Sequence, residues 1–406
     1  MQGLAAVRGS HAMKQDLTPM FSSRTRWDLR PNRLAERVAA RRAAGVRLLD
    51  LTESNPTKAG IAYPADVLLP LARPEARRYD PSPFGLPSAR EAVAADFARR
   101  GCEVAPDQVL LTASTSEAYA FLFKLLADPG DEILVPQPGY PLFEFLAGLE
   151  SVATRGYPLA WDGEWHLEVA AVRAAVSERT RAVVVVNPNN PTGVFLKRDE
   201  RRALEELCAE RQLALVSDEV FADFAFGEDK HREASVASIE NALAFALGGL
   251  SKSCGLPQLK LAWTAVCGRA PLREEALARL EVIADSYLSV STPVQVAAPE
   301  LLARRAELQA PIHARTAANL GRLRSRLPGS PATLLAPEGG WYAALRVPAT
   351  VSEEERVLRL LEERDVLVHH GYFFDFPREA YLVLSLLAPE DDFALGVDRL
   401  LADLVS

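Results

Sequence analysis

Lys252 stands shortly after the apolar run ALAFALGGL, and a second lysine, Lys260, follows eight residues later. A lysine at the end of a buried strand is desolvated, which lowers the pKa of its ammonium and favours the neutral, nucleophilic amine. Such an amine can attack a carbonyl group, and a second lysine nearby can neutralise a phosphate. The residues alone leave two readings open: a covalent anchor for a cofactor, or two surface lysines on a loop.

Three other apolar runs also end in polar residues that could bind a ligand. In LTASTSEAYA (111–120), Ser114 begins a helix whose free N–H groups could bind an anion, although a capping box with Glu117 would need no ligand. In VVVVNPNNPTG (183–193), the turn either is a rigid loop or presents an asparagine amide to a ligand. In LALVSDEV (213–220), Asp218 could cap a helix, pair with an arginine or bind a cationic nitrogen.

The elements that must position these residues alternate between short apolar runs and amphipathic stretches. This texture predicts an α/β fold, with a large, mostly parallel sheet that has helices on both faces, plus a smaller α+β domain. Ligands of open α/β sheets lie beyond the carboxyl ends of the strands, so four polar strand ends predict one site. The predicted strands are 109–112, 132–136, 181–188, 213–219 and 242–249, with helices such as 88–101, 116–130 and 197–212.

The sequence pattern changes after about residue 296, where a single long predicted helix over 298–327 leads into the smaller domain. The predicted division is a disordered leader or tag over 1–20, an N-terminal arm and part of the small domain over 21–60, the large ligand-binding domain over 61–297, and the small C-terminal domain over 298–406. GSHAM near the start is typical of a cloning remnant.

Composition excludes several classes of protein. A net charge of −8 argues against nucleic acid as the main partner, and no run of about 18 apolar residues predicts a membrane span. The cysteines lack metal-ligand spacing, so they predict reduced thiols in a cytoplasmic protein, with no disulfide framework and no metal site. They are Cys102, Cys208, Cys254 and Cys267.

From about residue 28 onward the motifs resemble, in order and spacing, the class I/II aminotransferases of the aspartate-aminotransferase superfamily, which are fold type I pyridoxal 5'-phosphate (PLP) enzymes. The segments that carry the resemblance are RYDPSPFGLPSAREAVAADF (78–97), VPQPGYPLF (135–143), NPNNPTG (187–193), SDEV (217–220) and SKSCGLPQLKLAW (251–263).

The resemblance implies a role for each matching residue. Lys252 forms the Schiff base with PLP and moves the proton of the substrate Cα, and Asp218 keeps the pyridine nitrogen protonated. Asn190 bonds the ring 3-oxygen, and Tyr140 stacks on the ring. Residues expected at the phosphate are Ser114, Thr115, Ser116, Ser251 and Lys260. Tyr79 is expected to reach the phosphate of the partner subunit, which implies a homodimer with shared active sites.

Some positions depart from the pattern of this family in the cofactor site. Phe221 stands where a tyrosine is usual, and Lys260 replaces an arginine, so it cannot clamp a phosphate bidentately. Ser114 and Gly249 also stand where glycine and serine, respectively, are usual. These departures predict a variant of the family that still binds PLP.

The largest departure concerns the substrate. Val383, in YLVLSLLAP (381–389), occupies the position of an arginine that binds the substrate α-carboxylate. Arg378, His369 and His370 are candidates to replace it, although a surface or core role suits each of them better. Asn55, in LTESNPTKAG (51–60), and Asn190 complete the candidate substrate-binding residues, and a plain turn would also explain Asn55.

The function predicted first is a PLP-dependent transaminase that moves an amino group from an amino acid to a 2-oxo acid through a Lys252 aldimine. The alternative is a PLP-dependent lyase, decarboxylase or cyclase acting on an amino-acid-like substrate, which Val383 and Phe221 favour. A third reading, a PLP-binding regulator fused to a winged helix, is disfavoured by the acidic charge and by the roughly 27 residues that precede the matching region.

Overall fold

A mixed eight-stranded sheet lies at the centre of the computed structural model, which describes residues 20–405. The predicted leader or tag therefore lies outside the described residues, except for Met20. The strands are β1 (Leu49–Asp50), β2 (Val109–Thr112), β3 (Glu132–Gln137), β4 (Ala153–Trp161), β5 (Trp165–Leu167), β6 (Thr180–Val186), β7 (Ala214–Asp218), β8 (Leu243–Gly249), β9 (Ala262–Gly268), β10 (Thr333–Leu335), β11 (Tyr342–Arg346), β12 (Val366–Leu367), β13 (His369–His370) and β14 (Tyr381–Ser385).

Helices cover the sheet and continue into the second half of the chain. Their bounds are α1 (Arg33–Ala43), α2 (Pro87–Arg99), α3 (Thr115–Leu126), α4 (Leu142–Leu149), α5 (Val169–Ala175), α6 (Arg198–Arg211), α7 (Leu250–Ser253), α8 (Ala270–Tyr287), α9 (Thr292–Ala303), α10 (Arg305–Arg326), α11 (Glu353–Arg364) and α12 (Glu390–Asp403). Among the described residues, no helix is both long and apolar enough to cross a bilayer.

The strand order of the large sheet is β2-β9-β8-β7-β6-β3-β4-β5. The pairs from β8 through to β4 are parallel, whereas β9 runs antiparallel to both of its neighbours and β5 runs antiparallel to β4. This arrangement confirms the predicted α/β class. Because β2, β6, β7 and β8 point the same way, their carboxyl ends meet at one edge of the sheet, where β9 also begins.

The sequence explains why the central strands form. Strands β6 and β8, with the sequences TRAVVVV and LAFALGG, are buried along almost their whole length. Such continuous apolar runs, rich in β-branched valine in the case of β6, suit strands covered by helices on both faces.

The second half of the chain builds a four-stranded antiparallel sheet in the order β10-β11-β14-β13. Strand β1 pairs in parallel with β12, and Leu49 and Leu51 enter the same apolar cluster as Leu345 and Leu384. This pairing supports the proposal that residues 21–60 contribute to the small domain. The domain boundaries themselves stay a prediction.

The prediction of a single helix over 298–327 is wrong. The chain leaves helical geometry at Arg304 (φ −86°, ψ 3°), so α9 and α10 are separate helices. The Arg304 guanidinium bonds Glu307, in the first turn of α10, and also Asp66. Apolar residues continue on both sides of the break, and their spacing therefore could not reveal it.

A buried ion pair attaches α2 to the end of β7, next to Asp218. Arg100 Nη1 donates to Glu219 Oε2 at 2.9 Å, and Glu219 Oε1 accepts from Ser235 Oγ and from the Val236 backbone N–H, each at 2.9 Å. Both side chains are almost inaccessible to solvent. Glu219 is therefore a structural carboxylate whose bonds fix the strand end.

Replacing Glu219 by alanine should destabilise the protein, because Arg100 would keep a largely buried charge with only the Ala234 carbonyl and the Phe97 ring as neutral partners. We expect Glu219→Ala to lower the free energy of unfolding by about 3–5 kcal/mol, measured by denaturant unfolding. Glu275→Ala is the matched control: its pair with Arg279 is exposed, so we expect a loss of less than about 1 kcal/mol. Equal effects of the two substitutions would contradict this role.

Candidate active site

A cavity of about 220 Å³ opens at the edge of the large sheet where β2, β6, β7 and β8 end. Most of the residues predicted from the sequence to bind a cofactor lie in its wall. They are Lys252, Asp218, Asn190, Tyr140, Ser114, Thr115, Ser116, Ser251 and Lys260. The parallel strands thus bring together side chains that are far apart in the sequence.

Lys252 lies in the short helix α7, immediately beyond β8. Its Nζ stands 4.7 Å from the ring centroid of Trp341 and 5.5 Å from that of Phe221. Burial lowers the pKa of Lys252 to about 8, against the opposing attraction of Asp218 and Glu53. A substantial fraction of this amine is therefore neutral at mildly alkaline pH, as a nucleophile or a base requires.

Asp218 ends β7 and faces the same cavity. Its Oδ2 accepts from the Tyr119 hydroxyl at 3.3 Å, and its Oδ1 accepts from the Val220 backbone N–H at 3.2 Å. Burial raises the pKa of Asp218 to about 6, and these hydrogen bonds and the charge of Lys252 only partly oppose the rise. Among the described residues it forms no ion pair, so a bound cationic N–H would supply what the carboxylate lacks.

The start of α3 shows the capping role considered for Ser114, and the anion-binding role stays a prediction. Its Oγ accepts from the Glu117 backbone N–H at 3.2 Å, and the Glu117 carboxylate accepts from the Ala113 backbone N–H at 2.6 Å. The helix is therefore capped by its own residues. Ser114, Thr115 and Ser116 nevertheless line the cavity with Lys260, so an anion bound here would meet hydroxyl groups, the helix N-terminus and an ammonium.

The three asparagines of NPNNPTG divide into two kinds. Asn187 Oδ1 accepts from the Leu196 backbone N–H at 3.0 Å, and Asn189 Oδ1 accepts from the Thr192 hydroxyl at 2.8 Å, so both hold the loop. Asn190 lines the cavity, and its buried Oδ1 has no hydrogen-bond partner among the described residues. The loop is therefore held by its own hydrogen bonds, and it places the Asn190 amide in the cavity wall.

Sequence reasoning missed several groups that face Lys252 or Asp218. Tyr119 lies one helical turn beyond the serines of α3, which could have indicated its position on the cavity side. Tyr342 lines the cavity and shares a hydrogen bond with Ser54, and burial raises its pKa to about 12. Trp341 and Glu53 come from segments distant in sequence, and no local pattern marks them.

The cavity wall does not include the remaining predicted residues. Tyr79 is 66% exposed, and Arg378 is also exposed. Asn55 Oδ1 accepts from the Thr57 backbone N–H at 3.0 Å and from its hydroxyl at 2.8 Å, which is the turn considered as an alternative. Their roles toward cofactor or substrate stay predictions.

Val383 is fully buried in β14 and pairs with His369 of β13. Burial lowers the pKa of His369 to about 3 and that of His370 to about 4, so both imidazoles are neutral at physiological pH. His370 Nδ1 also accepts from the Phe373 backbone N–H at 3.0 Å. Neither histidine therefore supplies the positive charge of the arginine that the family resemblance predicts at position 383.

A family model described as aminotransferase class I and II matches residues 52–391, which include the whole cavity wall. The chain belongs to this family. Alanine aminotransferase of Mycobacterium tuberculosis is 28% identical over 395 residues, covering 91% of this chain and 89% of the relative. The glutamate-pyruvate aminotransferase AlaA of Escherichia coli K12 is 26% identical, covering 87% of this chain and 90% of the relative.

Solved structures agree on the fold. Alanine aminotransferase from Pyrococcus furiosus superposes with a TM-score of 0.85 at 24% identity, covering 92% of this chain and 96% of the other. A single mutant of aspartate aminotransferase from Thermus thermophilus gives a TM-score of 0.82 at 25% identity, covering 95% and 99%. The family match confirms the predicted superfamily and the predicted aminotransferase activity, and the solved structures confirm the fold.

The raised pKa of Asp218 has a consequence for the stability of the cofactor-free protein. Between the ordinary value of 3.8 and about 6, the folded chain keeps a proton that the unfolded chain has lost. The stability contributed by this group is complete below about pH 4 and is lost as the pH rises through about 6. Asp218→Asn removes the charge, so we expect the cofactor-free variant to be about 1–3 kcal/mol more stable than wild type at pH 8.

Denaturant unfolding of both cofactor-free proteins between pH 4 and pH 8 measures this difference, which should shrink toward pH 4. Asp162→Asn, at a mostly exposed side chain, is the control and should change stability by less than about 0.5 kcal/mol at every pH. An Asp218→Asn variant that is less stable than wild type at pH 8 would refute the assignment of an uncompensated buried carboxylate.

Proposed function

We propose that this aminotransferase holds PLP in the cavity and transfers an amino group from an amino acid to a 2-oxo acid. The observation that carries the proposal is that Lys252, Asp218 and the start of α3 line one cavity in a chain that belongs to the family. An aldehyde requires a primary amine, a pyridinium requires a carboxylate, and a phosphate requires N–H groups and cations.

The residues present fit the cofactor by their own chemistry. Asp218 is a buried carboxylate that has neutral hydrogen-bond donors but no ion pair among the described residues. Asn190 Oδ1 is a buried acceptor without a partner in the described chain. Asp218 and Asn190 line the same cavity as Lys252, whose pKa is lowered, and as the three hydroxyl groups at the start of α3. A protonated aromatic ring with a hydroxyl and a phosphate satisfies these groups together.

Each side chain then has a defined role. When bound, PLP supplies an electron sink for the bonds at the substrate Cα. Asp218 holds the proton on the pyridine nitrogen, and Asn190 orients the ring through its 3-oxygen. Lys252 Nζ, made less basic by burial, anchors the cofactor and takes and returns the proton of the substrate Cα. Tyr140 covers the ring and excludes water from one face.

The remaining cofactor-binding residues hold the phosphate. The hydroxyls of Ser114, Thr115, Ser116 and Ser251 would donate hydrogen bonds to it, and Lys260 would neutralise part of its charge. Lysine binds phosphate as a point charge rather than as a fork, so Lys260 contributes affinity with little control over orientation. In this proposal the helix start of α3 provides the orientation.

The proposal includes a homodimer with shared active sites in the cytoplasm. Tyr79 is 66% exposed on this chain, and Leu68 and Leu69 are exposed apolar side chains as well. An exposed Tyr79 is free to reach the phosphate of a partner subunit. The four cysteines are free and buried, which supports a reducing compartment.

Lys252→Ala should abolish covalent attachment of PLP and lower transamination by about 10²–10⁴-fold or more, because both the anchor and the base are lost. Borohydride reduction followed by peptide mass mapping checks the attachment, and ketoacid release checks the activity. Lys260→Ala is the control: it should still be labelled at Lys252, with weaker cofactor affinity. Label retained by Lys252→Ala, or wild-type protein that stays colourless with added PLP, would refute the proposal.

The type of reaction needs a separate measurement. Without a 2-oxo acid acceptor, we expect a reactive amino acid to yield one equivalent of 2-oxo acid per site and then stop. Continuous release of ammonia with pyruvate, or of carbon dioxide, would instead identify the lyase or decarboxylase alternative.

Shared sites predict complementation between two defective subunits. We expect Tyr79→Phe to weaken cofactor binding by about 10-fold, the loss of one hydrogen bond to a charged group. A hybrid dimer of Tyr79→Phe and Lys252→Ala subunits should regain one site with wild-type affinity, because both defects fall in the other site. Differentially tagged hybrids titrated with PLP measure this, and a hybrid without any wild-type site would show that Tyr79 does not act across the interface.

A further inference from the structure

Tyr119 brings a hydroxyl group from α3 to the carboxylate of Asp218. The hydroxyl donates to Asp218 Oδ2 at 3.3 Å, and the Val220 backbone N–H donates to Oδ1 at 3.2 Å. The side chains of Tyr119 and Asp218 both line the cavity, and Tyr119 is only 3% exposed. The hydroxyl therefore contacts the carboxylate to which the proposed function assigns the ring nitrogen of PLP.

The ring of Tyr119 is held by aromatic packing that does not involve its hydroxyl. It meets Phe143 edge-on, with 5.2 Å between ring centroids, and Phe123 in a tilted contact at 5.8 Å. A phenylalanine at position 119 would make the same ring contacts. Packing alone therefore does not explain why this position carries a hydroxyl.

One face of α3 contributes to two parts of the cavity wall. Thr115 and Ser116 lie four and three residues before Tyr119, a spacing that places side chains on the same face of a helix. Hydrogen bonds of Ser114 and Glu117 cap the start of this helix. The helix thus holds the hydroxyls proposed for the phosphate at a set distance from the Tyr119 hydroxyl.

The Tyr119 hydroxyl keeps its proton and acts as the donor. Burial, and then the charge of Asp218, raise the pKa of Tyr119 well above its ordinary value. Burial also raises the pKa of Tyr140, the other phenol on which Asp218 acts. Because a hydrogen bond to the charged form of an acid favours that form, the Tyr119 bond favours Asp218 as the anion.

The groups around Asp218 act on its protonation in opposite directions. Burial raises the pKa of Asp218, the hydrogen bonds from Val220 and Tyr119 lower it, Glu219 raises it and Lys252 lowers it. The Val220 donor belongs to the backbone and is present with any side chain at that position except proline. The Tyr119 donor depends on the residue type alone, so substitution can remove it without moving the carboxylate.

The proposed function places one proton between two bases, the Asp218 carboxylate and the pyridine nitrogen of PLP. The proton stays on the nitrogen only if the carboxylate is the weaker base, and each donor to the carboxylate weakens it. An ionised carboxyl group has about four acceptor positions, so the bonds from Tyr119 and Val220 leave room for the ring N–H. The protonated ring is the better electron sink.

We propose that Tyr119 is a positioning residue that acts through Asp218: its hydroxyl bond orients the carboxylate and keeps the shared proton on the ring nitrogen. The inference rests on the proposed function and adds a residue to the same site. The motifs by which the sequence resembles its family assign no role to Tyr119.

The cofactor-free protein tests the bond itself. Titration of the Asp218 carboxyl by carbon-13 NMR, with its signal identified by Asp218→Asn, gives its pKa in wild type and in Tyr119→Phe. We expect Tyr119→Phe to raise this pKa by about one unit, because a hydrogen bond to the charged form is lost.

Tyr157→Phe is the matched control. Tyr157 is also buried in the large domain, but its hydroxyl donates to the Val184 carbonyl at 2.7 Å. Its loss should move the pKa of Asp218 by less than about 0.3 unit, as expected for a residue without a shared partner.

A stronger donor at the same position should have the opposite effect. With 3-fluorotyrosine at position 119 the ring and the hydroxyl remain, and fluorine makes the hydroxyl a stronger donor. We expect the pKa of Asp218 to fall below the wild-type value, whereas a role in packing alone would leave it unchanged.

The holoenzyme tests the consequence for the ring proton. With PLP labelled with nitrogen-15 in the ring, NMR distinguishes a protonated from a neutral pyridine nitrogen. We expect Tyr119→Phe to shift the proton equilibrium toward Asp218 by about 10-fold, which corresponds to one pKa unit. The kcat of transamination should fall, while KM for the amino acid stays within about 2-fold of wild type.

The outcomes distinguish the two levels of the proposal. A pKa of Asp218 that is unchanged in Tyr119→Phe, or that Tyr157→Phe raises equally, overturns the inference and leaves the proposed function intact. A ring nitrogen as fully protonated in Tyr119→Phe as in wild type overturns the control of the ring proton. Wild-type protein that binds no PLP overturns the proposed function and this inference together.

Discussion

The site depends on keeping an acid and a base buried at the ends of two neighbouring strands without pairing them directly. Asp218 ends β7, and Lys252 follows β8, and within the described part of the chain no ion pair joins their side chains, although each charge acts on the pKa of the other. One cause, burial, raises the pKa of the acid to about 6 and lowers that of the base to about 8. Asp218 therefore lacks a cationic partner, and the Lys252 amine is available to react with a carbonyl. A ligand that carries both a cationic nitrogen and a carbonyl can bind to both groups.

Neutral groups offset part of the cost of burying Asp218 and Lys252 without an ion pair between them. Asp218 has a hydroxyl and a backbone N–H as donors, and the Lys252 ammonium has the faces of Trp341 and Phe221. Cation–π contacts and single neutral hydrogen bonds each offset about 1 kcal/mol, less than the desolvation cost of a buried charge. The sheet core must supply the remainder, which is why these groups stand at the ends of strands as fully buried as β7 and β8.

The sequence allowed the strand-end residues to be predicted because parallel topology converts sequence order into spatial proximity. Lys252, Asp218 and Asn190 each follow a β-branched or apolar run, so their convergence needed no knowledge of side-chain packing. Trp341 and Glu53 could not be predicted in this way. They reach Lys252 from other segments, through the packing of the second sheet and of the chain near β1, and no periodicity encodes such tertiary contacts.

The hydrogen bonds show, where residue type does not, which polar atoms are already used within the chain. Ser114 both caps α3 and lines the cavity, and Asn55 uses its side chain within its own turn. The break at Arg304 is similar, because helical spacing persists across it while the backbone does not. Local sequence patterns therefore predict where helices and strands lie. They do not predict which polar atoms form hydrogen bonds within the chain and which stay available to a ligand.

The position of Trp341 follows from close backbone packing more than from charge. Glu338 accepts from Lys197 Nζ at 2.6 Å and from Arg232 Nε at 3.2 Å, but these partly exposed pairs are worth about 1 kcal/mol or less each. The backbones nearby approach so closely that a Cβ on Gly193 (φ +74°) would lie 2.4 Å from the Gly339 carbonyl oxygen, and one on Gly339 would lie 2.5 Å from that of Phe224. Only glycine fits at these crossings. The glycine that ends NPNNPTG thus holds the loop of Asn190 against the segment of Trp341, so one short motif helps to position both Asn190 in the cavity wall and Trp341 beside the Lys252 amine.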